Sequence, residues 1–229
     1  MESNVQTISR SATSALGQNS VLRNTYLLLA VAMIPAVIGA VVGTNMNFGF
    51  MRASPMMVMI GFIAVFYGMI WAIEKNRNSG IGVALLLGFT FLMGLMLGPL
   101  LQRTLGMSNG GSLIALAAGG TAAVFFAMAG IATTTKRDIG SLSKFLGVSV
   151  IVAMVLVIAN IFFQSTAVHL TILAIFIPLS SLLMLFHIHQ VVHGGETNYI
   201  SATLSIFISI YNLFSALLQM LGIFGGSDD

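Results

Sequence analysis

Residues 200–223 read ISATLSIFISIYNLFSALLQMLGI and contain no Asp, Glu, Lys or Arg. A helix rises about 1.5 Å per residue, so this segment is long enough to cross a bilayer core of about 30 Å. Six further apolar runs of similar length precede it, at 26–44, 54–73, 81–101, 112–132, 143–163 and 166–187. The pattern predicts an all-α polytopic membrane protein with seven transmembrane helices.

The composition of the whole chain indicates the same class. Hydrophobic residues make up 57% of the 229 residues and charged residues 7%, against about 25% charged residues in a soluble domain. The chain therefore lacks the polar side chains to cover a water-exposed surface, which excludes a soluble enzyme or binding module. Its hydrophobicity excludes disorder, and its continuous apolar runs exclude a transmembrane β-barrel. The sequence contains no cysteine, which excludes disulfides and thiolate chemistry.

The distribution of basic residues predicts the orientation in the membrane. If the N-terminus is cytoplasmic, the cytoplasmic side carries Arg10, Arg23, Lys75, Arg77, Lys136, Arg137 and Lys144, and the outer side carries Arg52 and Arg103. This bias follows the positive-inside rule, so we interpret the scattered basic residues as topology signals and predict no nucleic-acid partner. Seven spans place the C-terminus outside. If spans five and six were one helix across Gln164-Ser165, the C-terminus would lie in the cytoplasm.

The short connections predict one membrane domain over residues 23–224. A flexible cytoplasmic tail, residues 1–22, precedes it, and a short outer tail, residues 225–229, follows it. Small residues recur at four-residue spacing as Gly39/Gly43, Gly94/Gly98 and Ala123/Ala127. Such faces let helix backbones approach closely in lipid, and we expect all three to pack the protein's own bundle.

The last span carries a polar stripe along one face. Its members, three or four positions apart, are Ser201, Ser205, Ser209, Asn212, Ser215 and Gln219. At about 100° per residue they lie within a sector of about 120°. Because such a stripe is costly against lipid, the last helix is predicted to be central in the bundle. The stripe either hydrogen-bonds to neighbouring helices or lines a hydrated pathway, and the sequence leaves both interpretations open.

Catalytic chemistry finds no support in the sequence. Only His169 and His187 are ionisable residues within spans, both near helix ends, and no Asp or Glu falls inside a span. No Ser/His/Asp set, HExxH motif or Gly-rich phosphate loop is present, so we predict no enzyme activity, no catalytic residue and no cofactor. Histidine changes charge near neutral pH, so either histidine can act as a pH sensor.

The loop before the last span is the other polar feature. It consists of His193, Gly194, Gly195, Glu196, Thr197, Asn198 and Tyr199. The two glycines are expected to end span six in a tight turn, and the glutamate and threonine to start the final helix. His189 and His193 match no established metal-binding spacing. Because the glycines should break the helix that would align these two histidines, we predict no metal site.

Four segments carry a family resemblance. They are VLRNTYLLL at 21–29, GGTAAVFFAMAGIATTTKRDIGSL at 119–142, ANIFFQ at 159–164 with AVHL at 167–170, and HGGETNYISATLSIFISIYNLFSALL at 193–218. The chain resembles the BAX inhibitor-1 (transmembrane BAX inhibitor motif) family, and more narrowly its bacterial branch known as modulator of FtsH protease. The resemblance implies seven helices with the last one central, the N-terminus inside and the C-terminus outside.

The resemblance also implies a function. Members of this branch lie in the bacterial inner membrane, bind the membrane-anchored AAA protease FtsH and restrain its action on membrane proteins. Other members of the wider family act as pH-sensitive calcium leak pathways that use two acidic residues. The matching positions here are His187 and Ser209. Calcium prefers carboxylate oxygens, so this pair puts a calcium leak in doubt. Protonation of His187 still makes the pair a candidate gate or pH sensor.

The main hypothesis is therefore a modulator of FtsH that binds the protease directly, with membrane lipids as its other partners. A polar tail that FtsH engages, ahead of an apolar bundle that resists extraction, would occupy the protease. The alternative is a pH-sensitive leak for calcium ions or protons along the stripe of the last span. A third hypothesis is a stress-linked scaffold. The sequence leaves the oligomeric state open.

Overall fold

A computed structural model describes residues 2–49, 54–135 and 140–225, with the side chains of 2–18 outside the description. Its helices are α1 (Glu2–Thr44), α2 (Pro55–Lys75), α3 (Gly80–Met96), α4 (Gly98–Leu105), α5 (Gly110–Thr134), α6 (Gly140–Phe163), α7 (Thr166–Val192) and α8 (Tyr199–Gly225). Within these ranges, seven segments are long and apolar enough to cross a membrane. The predicted all-α, seven-span class is confirmed.

The third span consists of two helices. The sequence predicts one continuous helix over 81–101, but α3 ends at Met96 and α4 begins at Gly98. The reason is Pro99, which has no N–H to donate and whose ring collides with the carbonyl four residues earlier. The chain tightens just before it, where the N–H of Leu97 donates to the Gly94 carbonyl at 2.9 Å.

The narrow break between spans five and six is real. Gln164 has a φ of 46°, in the left-handed region that ends helices. Ser165 then caps α7, because its Oγ accepts a hydrogen bond from the N–H of Val168 at 3.5 Å. Spans five and six are therefore two helices, as predicted.

The amino-terminal segment is helical from Glu2, and its predicted flexibility stays a prediction. Residues 1–22 are predicted to be a flexible tail, but α1 begins at Glu2 and continues into the span that starts at Asn19. Once the apolar span has nucleated a helix, each residue added to it gains one backbone hydrogen bond, so a polar extension can stay helical. Several predicted topology signals lie outside the described residues: Arg52, Lys136, Arg137 and the C-terminal Asp228-Asp229.

Helix α8 is central in the bundle, as predicted. It packs against α1, α2, α3, α4, α5 and α7, and its residues Ile200, Leu213 and Leu218 are fully buried. Helix α6, by contrast, packs only against α7 among the helices of the described ranges. The polar stripe of α8 therefore lies within the bundle. Helix α6 lies at the periphery and, within these ranges, does not pack against α8.

The closest helix approach joins α1 to α3. A Cβ atom added to Gly94 would collide with the carbonyl of Ala36, and one added to Gly39 would collide with the carbonyl of Phe91. The two backbones touch directly, which only small residues permit. The prediction that the small-residue faces of Gly39/Gly43 and Gly94/Gly98 pack the protein's own bundle is confirmed.

The third small-residue face behaves differently. Ala123 and Ala127 are exposed on α5, so the prediction that they pack the bundle is wrong. The helix buries a different side, with Leu113, Ala117 and Thr121, and packs against α4, α7 and α8. Small residues allow a second helix to approach closely but do not ensure that one is present. Within the described structure, the Ala123/Ala127 face stays exposed.

Candidate functional site

Asn198 joins the start of α8 to the loop that follows α2. Its Oδ1 accepts hydrogen bonds from the N–H groups of Ile200 and Ser201, at 2.9 and 3.2 Å. Its Nδ2 donates to the carbonyl of Arg77 at 2.9 Å and to Asn78 Oδ1 at 2.8 Å. One side chain thus caps the central helix and fixes a neighbouring loop against it.

The central helix begins later than predicted. Glu196 and Thr197 are expected to start it, but both lie in the loop, and α8 begins at Tyr199. Glu196 instead accepts the N–H of Asn198 on its Oε1 at 2.8 Å. Asparagine is among the best N-cap residues, and the helix starts directly after it for that reason.

The two glycines of the loop end α7, as predicted. Gly194 has a φ of 77°, a backbone conformation that residues other than Gly and Asn rarely adopt. The N–H of Gly195 donates to the carbonyl of Gln190 at 2.8 Å, which is the hydrogen bond of a Schellman turn. This turn reverses the chain and brings Asn198 to the loop after α2.

Glu74 is the functional candidate that the sequence interpretation missed. The hydroxyl of Ser201 donates to Glu74 Oε2 at 2.9 Å, and Arg77 Nη1 lies 3.5 Å from the same oxygen. Span two is predicted to end at residue 73, so the statement that no Glu lies inside a span is wrong. The span runs to Lys75. The i, i+3 spacing of Glu74 and Arg77 in the sequence could have indicated this ion pair.

The positions that match the acidic pair of the wider family are not joined by a hydrogen bond within the described residues. Ser209 is 2% exposed, and its hydroxyl donates to the Ser205 carbonyl of its own helix at 3.0 Å. His187 is half-buried on α7, with its ring edge-on to Phe186 at a centroid distance of 5.6 Å. The role of this pair as a gate or pH sensor stays a prediction.

His189 and His193 stack on each other. Their ring centroids are 3.9 Å apart, His193 Nδ1 donates to the His189 carbonyl, and His189 Nε2 donates to the Thr135 carbonyl at 3.2 Å. The expectation that the glycines keep these two histidines out of register is wrong, because α7 continues to Val192 and the glycines come only afterwards. No group of three His, Asp or Glu side chains converges in the part of the chain that the structure describes.

The other end of the stripe lines a cleft of about 410 Å³. Its polar lining consists of Asn160 from α6, His169 from α7, and Asn212, Ser215 and Gln219 from α8. Asn160 Oδ1 and Ser215 Oγ are buried there without a hydrogen-bond partner in the described structure. Both interpretations of the stripe therefore have support, at different ends: Ser201 bonds to another helix, and the residues beyond Ser209 line a cavity.

A larger cavity of about 730 Å³ lies over α8 between α1 and α5, where the rings of Tyr26 and Phe125 meet edge to face at a centroid distance of 6.2 Å. Its lining is almost entirely apolar and includes Tyr26, Phe125 and Phe207. Such a surface suits lipid tails or another apolar chain.

Comparison with known families gives the chain's relationship. The sequence profile of the family described as inhibitor of apoptosis-promoting Bax1 matches residues 18–226. The chain belongs to this family. The match includes all seven spans and the loop 193–199, and it confirms the resemblance that the motifs indicate.

Relatives of similar length support this assignment. An uncharacterized protein of Neisseria meningitidis serogroup B is 44% identical over 216 residues, covering 93% of this chain and 95% of the relative. An uncharacterized protein of Pseudomonas aeruginosa is 40% identical over 210 residues, covering 92% of both chains. The Escherichia coli K12 protein titled modulator of FtsH protease YccA is 39% identical over 214 residues, covering 93% of this chain and 94% of the relative.

The names of the relatives agree with a regulatory membrane protein and not with a recognised enzyme. A protein of Escherichia coli O6:H1 with the same level of identity is titled inner membrane protein YccA, and one of Vibrio cholerae is titled uncharacterized membrane protein. These titles and the seven apolar helices agree with the predicted location as a multi-pass protein of the bacterial inner membrane.

Proposed function

We propose that this family member is a modulator of FtsH that restrains the protease by binding it directly in the inner membrane. The observation that carries the proposal is the 39% identity to the Escherichia coli FtsH modulator over 93% of this chain. The shared region covers the loops as well as the spans, so the similarity extends beyond a common hydrophobicity. Direct binding predicts that this protein co-purifies with FtsH.

The amino-terminal segment is the part that FtsH would engage. Residues 2–18 precede the first span and are rich in Ser, Asn, Thr and Gln. They continue α1 as a helix, but a polar helix of this length is marginally stable in water without tertiary contacts. A protease that starts by unfolding a free segment can therefore pull on it.

The rest of α1 would then resist the pull. The segment that FtsH engages belongs to the same helix whose backbone touches α3 at Gly39 and Gly94, and α1 also packs against α4, α7 and α8. Withdrawing α1 would separate directly packed backbones in a bundle that is loop-poor. Easy engagement followed by hard extraction would keep the protease occupied.

The first test is degradation of a membrane substrate by purified FtsH in liposomes, with and without this protein. We expect slower degradation and co-purification of this protein with FtsH. An unchanged rate together with no co-purification would overturn the proposal.

Two variant pairs test the mechanism. Deletion of residues 2–18 should slow turnover of this protein by FtsH, whereas a scrambled segment of the same composition should not. Gly94→Ala should speed extraction, because the new methyl group meets the Ala36 carbonyl, whereas Gly119→Ala adds a methyl group with nothing within 4 Å. Equal half-lives within both pairs would contradict the mechanism while leaving the binding result intact.

The leak hypothesis has weaker support. His187 and Ser209 provide no carboxylate for a cation, and Ser209 is buried and bonded to its own helix. The hypothesis predicts that liposomes containing the protein leak calcium or protons faster than protein-free liposomes, with a change across the pH range in which histidine titrates. Equal leak rates in liposomes with and without the protein would exclude the leak hypothesis.

A further inference from the structure

We propose that the cleft between α6, α7 and α8 is a blind, water-filled vestibule that opens on the predicted outer side and binds small uncharged hydrogen-bonding solutes. This inference does not depend on binding to FtsH. It rests on three features of the cleft: its unpartnered polar atoms, a lining without Asp, Glu, Lys or Arg, and the arrangement of helices that leaves one end open and closes the other.

The unpartnered atoms show that the cleft is built for a polar occupant. Asn160 Oδ1 and Ser215 Oγ are buried without a hydrogen-bond partner in the described structure. Leaving such a group unsatisfied is costly, because it has given up its hydrogen bond to water and gained none in return. The adjoining space of about 410 Å³ has room for roughly fourteen water molecules at about 30 Å³ each. Water or a polar solute would complete both hydrogen bonds.

The lining selects uncharged occupants. Amides from Asn212 and Gln219, the imidazole of His169 and the hydroxyl of Ser215 provide both donors and acceptors, and no Asp, Glu, Lys or Arg lines the cleft. Gln219 already donates from Nε2 to the Ser215 carbonyl at 3.1 Å, which leaves its Oε1 as an acceptor. An ion would lose hydration without gaining a counter-charge, whereas a neutral solute exchanges its hydrogen bonds one for one.

The helix packing explains why the cleft exists. Helix α6 packs on α7 but not on α8, so α6 and α8 face each other across a gap. Asn160 lies three residues before the end of α6, and His169 lies three residues after the start of α7. Both are within one turn of the α6–α7 connection, which places the mouth of the cleft at that surface of the membrane.

The deep end of the cleft is closed. Asn212 lies thirteen residues before the end of α8, or about 20 Å at 1.5 Å per residue, so the lining reaches towards the middle of the membrane. The next stripe residue, Ser209, is 2% exposed and bonded to its own helix. Ile206 and Phe207, within one turn beyond Ser209, are 1% and 2% exposed. The vestibule therefore ends before Ser209 and gives no passage in this conformation.

The absence of cysteine in the chain permits a direct test, because any introduced cysteine is the sole thiol. Single variants Ser215→Cys and Asn160→Cys probe the vestibule, and Ser209→Cys probes the closed region. Val155→Cys is the lipid-facing control, on a side chain 59% exposed on α6. Ser108→Cys is an exposed loop control on the predicted outer side.

Each variant is treated with a membrane-impermeant methanethiosulfonate reagent in sealed vesicles of known orientation. The reactive species is the thiolate, which forms in water and not in lipid, so Ser215→Cys should react at least about tenfold faster than Val155→Cys or Ser209→Cys. The fast reaction should require reagent on the outer side. An excess of glycerol, a small uncharged solute, should slow Ser215→Cys more than Ser108→Cys.

Each part of the proposal has an outcome that overturns it. Labelling of Ser215→Cys and Asn160→Cys as slow as that of Val155→Cys would exclude a water-filled vestibule, and equally fast labelling of Ser209→Cys would exclude a blind end. Labelling from the cytoplasmic side would exclude an outward mouth, and equal effects of glycerol at all positions would exclude solute binding. Labelling after unfolding in SDS shows that the thiol is present, and Gln219→Cys replaces either vestibule variant that does not fold.

Discussion

Towards its amino-terminal end, α8 shares its polar side chains with other elements: Asn198 bonds to the loop after α2, Ser201 to Glu74, and Thr203 to the carbonyl of Thr25 on α1. Towards its carboxyl end, Ser215 faces a cleft without a partner. The same three- to four-residue periodicity of polar side chains serves both ends. The two ends differ in their neighbouring helices. Helices α1 and α2 contact α8 towards its amino-terminal end, whereas a gap separates α6 from α8 towards its carboxyl end.

This difference separates stability from adaptability within one helix. At the amino-terminal end, hydrogen bonds to other elements hold α8 in place and should raise the free energy of unfolding. At the carboxyl end, the polar groups contribute little to stability and stay available to a ligand. Two substitution pairs, each with one variant at either end of α8, and one substitution across the cleft measure the contrast.

The largest effect is expected for Asn198→Ala. The variant loses the cap of α8 and two hydrogen bonds to the loop after α2, so the free energy of unfolding should fall by about 2–4 kcal/mol. Asn212→Ala, in the cleft, should change it by less than about 1 kcal/mol. Chemical unfolding in detergent measures both. Asn198→Asp keeps oxygen atoms that can cap α8 but loses the donor group. Its loss of unfolding free energy should therefore lie between the losses of the two alanine variants.

Equal destabilisation by Asn198→Ala and Asn212→Ala would contradict the contrast between the two ends. It would mean that Asn212 makes hydrogen bonds of similar strength to those of Asn198.

The second pair is Ser201→Ala and Ser215→Ala. Ser201 donates to a carboxylate, but Glu74 is 38% exposed, so solvent screening reduces the loss to about 1 kcal/mol. Ser215→Ala removes an unpartnered hydroxyl and should be close to neutral. The same unfolding measurement applies. A double-mutant cycle with Glu74→Gln should show that the effect of Ser201 depends on Glu74. Additive effects would rule out that hydrogen bond.

The smallest effect on stability is expected for Asn160→Leu. Replacing an unpartnered buried amide by an apolar group of similar size should leave the free energy of unfolding unchanged or raise it by up to about 1 kcal/mol. The apolar side chain should also slow thiol labelling of Ser215→Cys in the double variant. A clear loss of stability would show instead that the amide is hydrogen-bonded, and the vestibule would lose one of its two anchoring atoms.

Much of the fold could be predicted from local sequence. The seven apolar runs, the break at Gln164-Ser165, the glycine turn at Gly194 and the central position of the striped helix all follow from hydropathy, helix-ending residues and polar periodicity. The division of span three at Pro99 follows from local chemistry as well, although a count of apolar residues passes over it. The candidate site was predicted only in part, as a set of residues on one helix without their partners.

Equal sequence patterns led to unequal outcomes where a neighbour was required. Gly39/Gly43 and Ala123/Ala127 share the same four-residue spacing, yet the first pair packs in the bundle and the second is exposed. Spacing describes what a face permits. Only the arrangement of the other helices determines whether something packs there.

The sequence by itself determined the class, the spans and the family of this protein, because a bilayer requires every backbone hydrogen bond of a span to be made within that span. Such information is local and can be read along the chain. The tertiary structure alone decided that Ser201 meets Glu74, that His189 stacks on His193, and that a polar cleft lies beside α6. These contacts join residues on different helices, or depend on where a helix stops, and the packing of the bundle sets them.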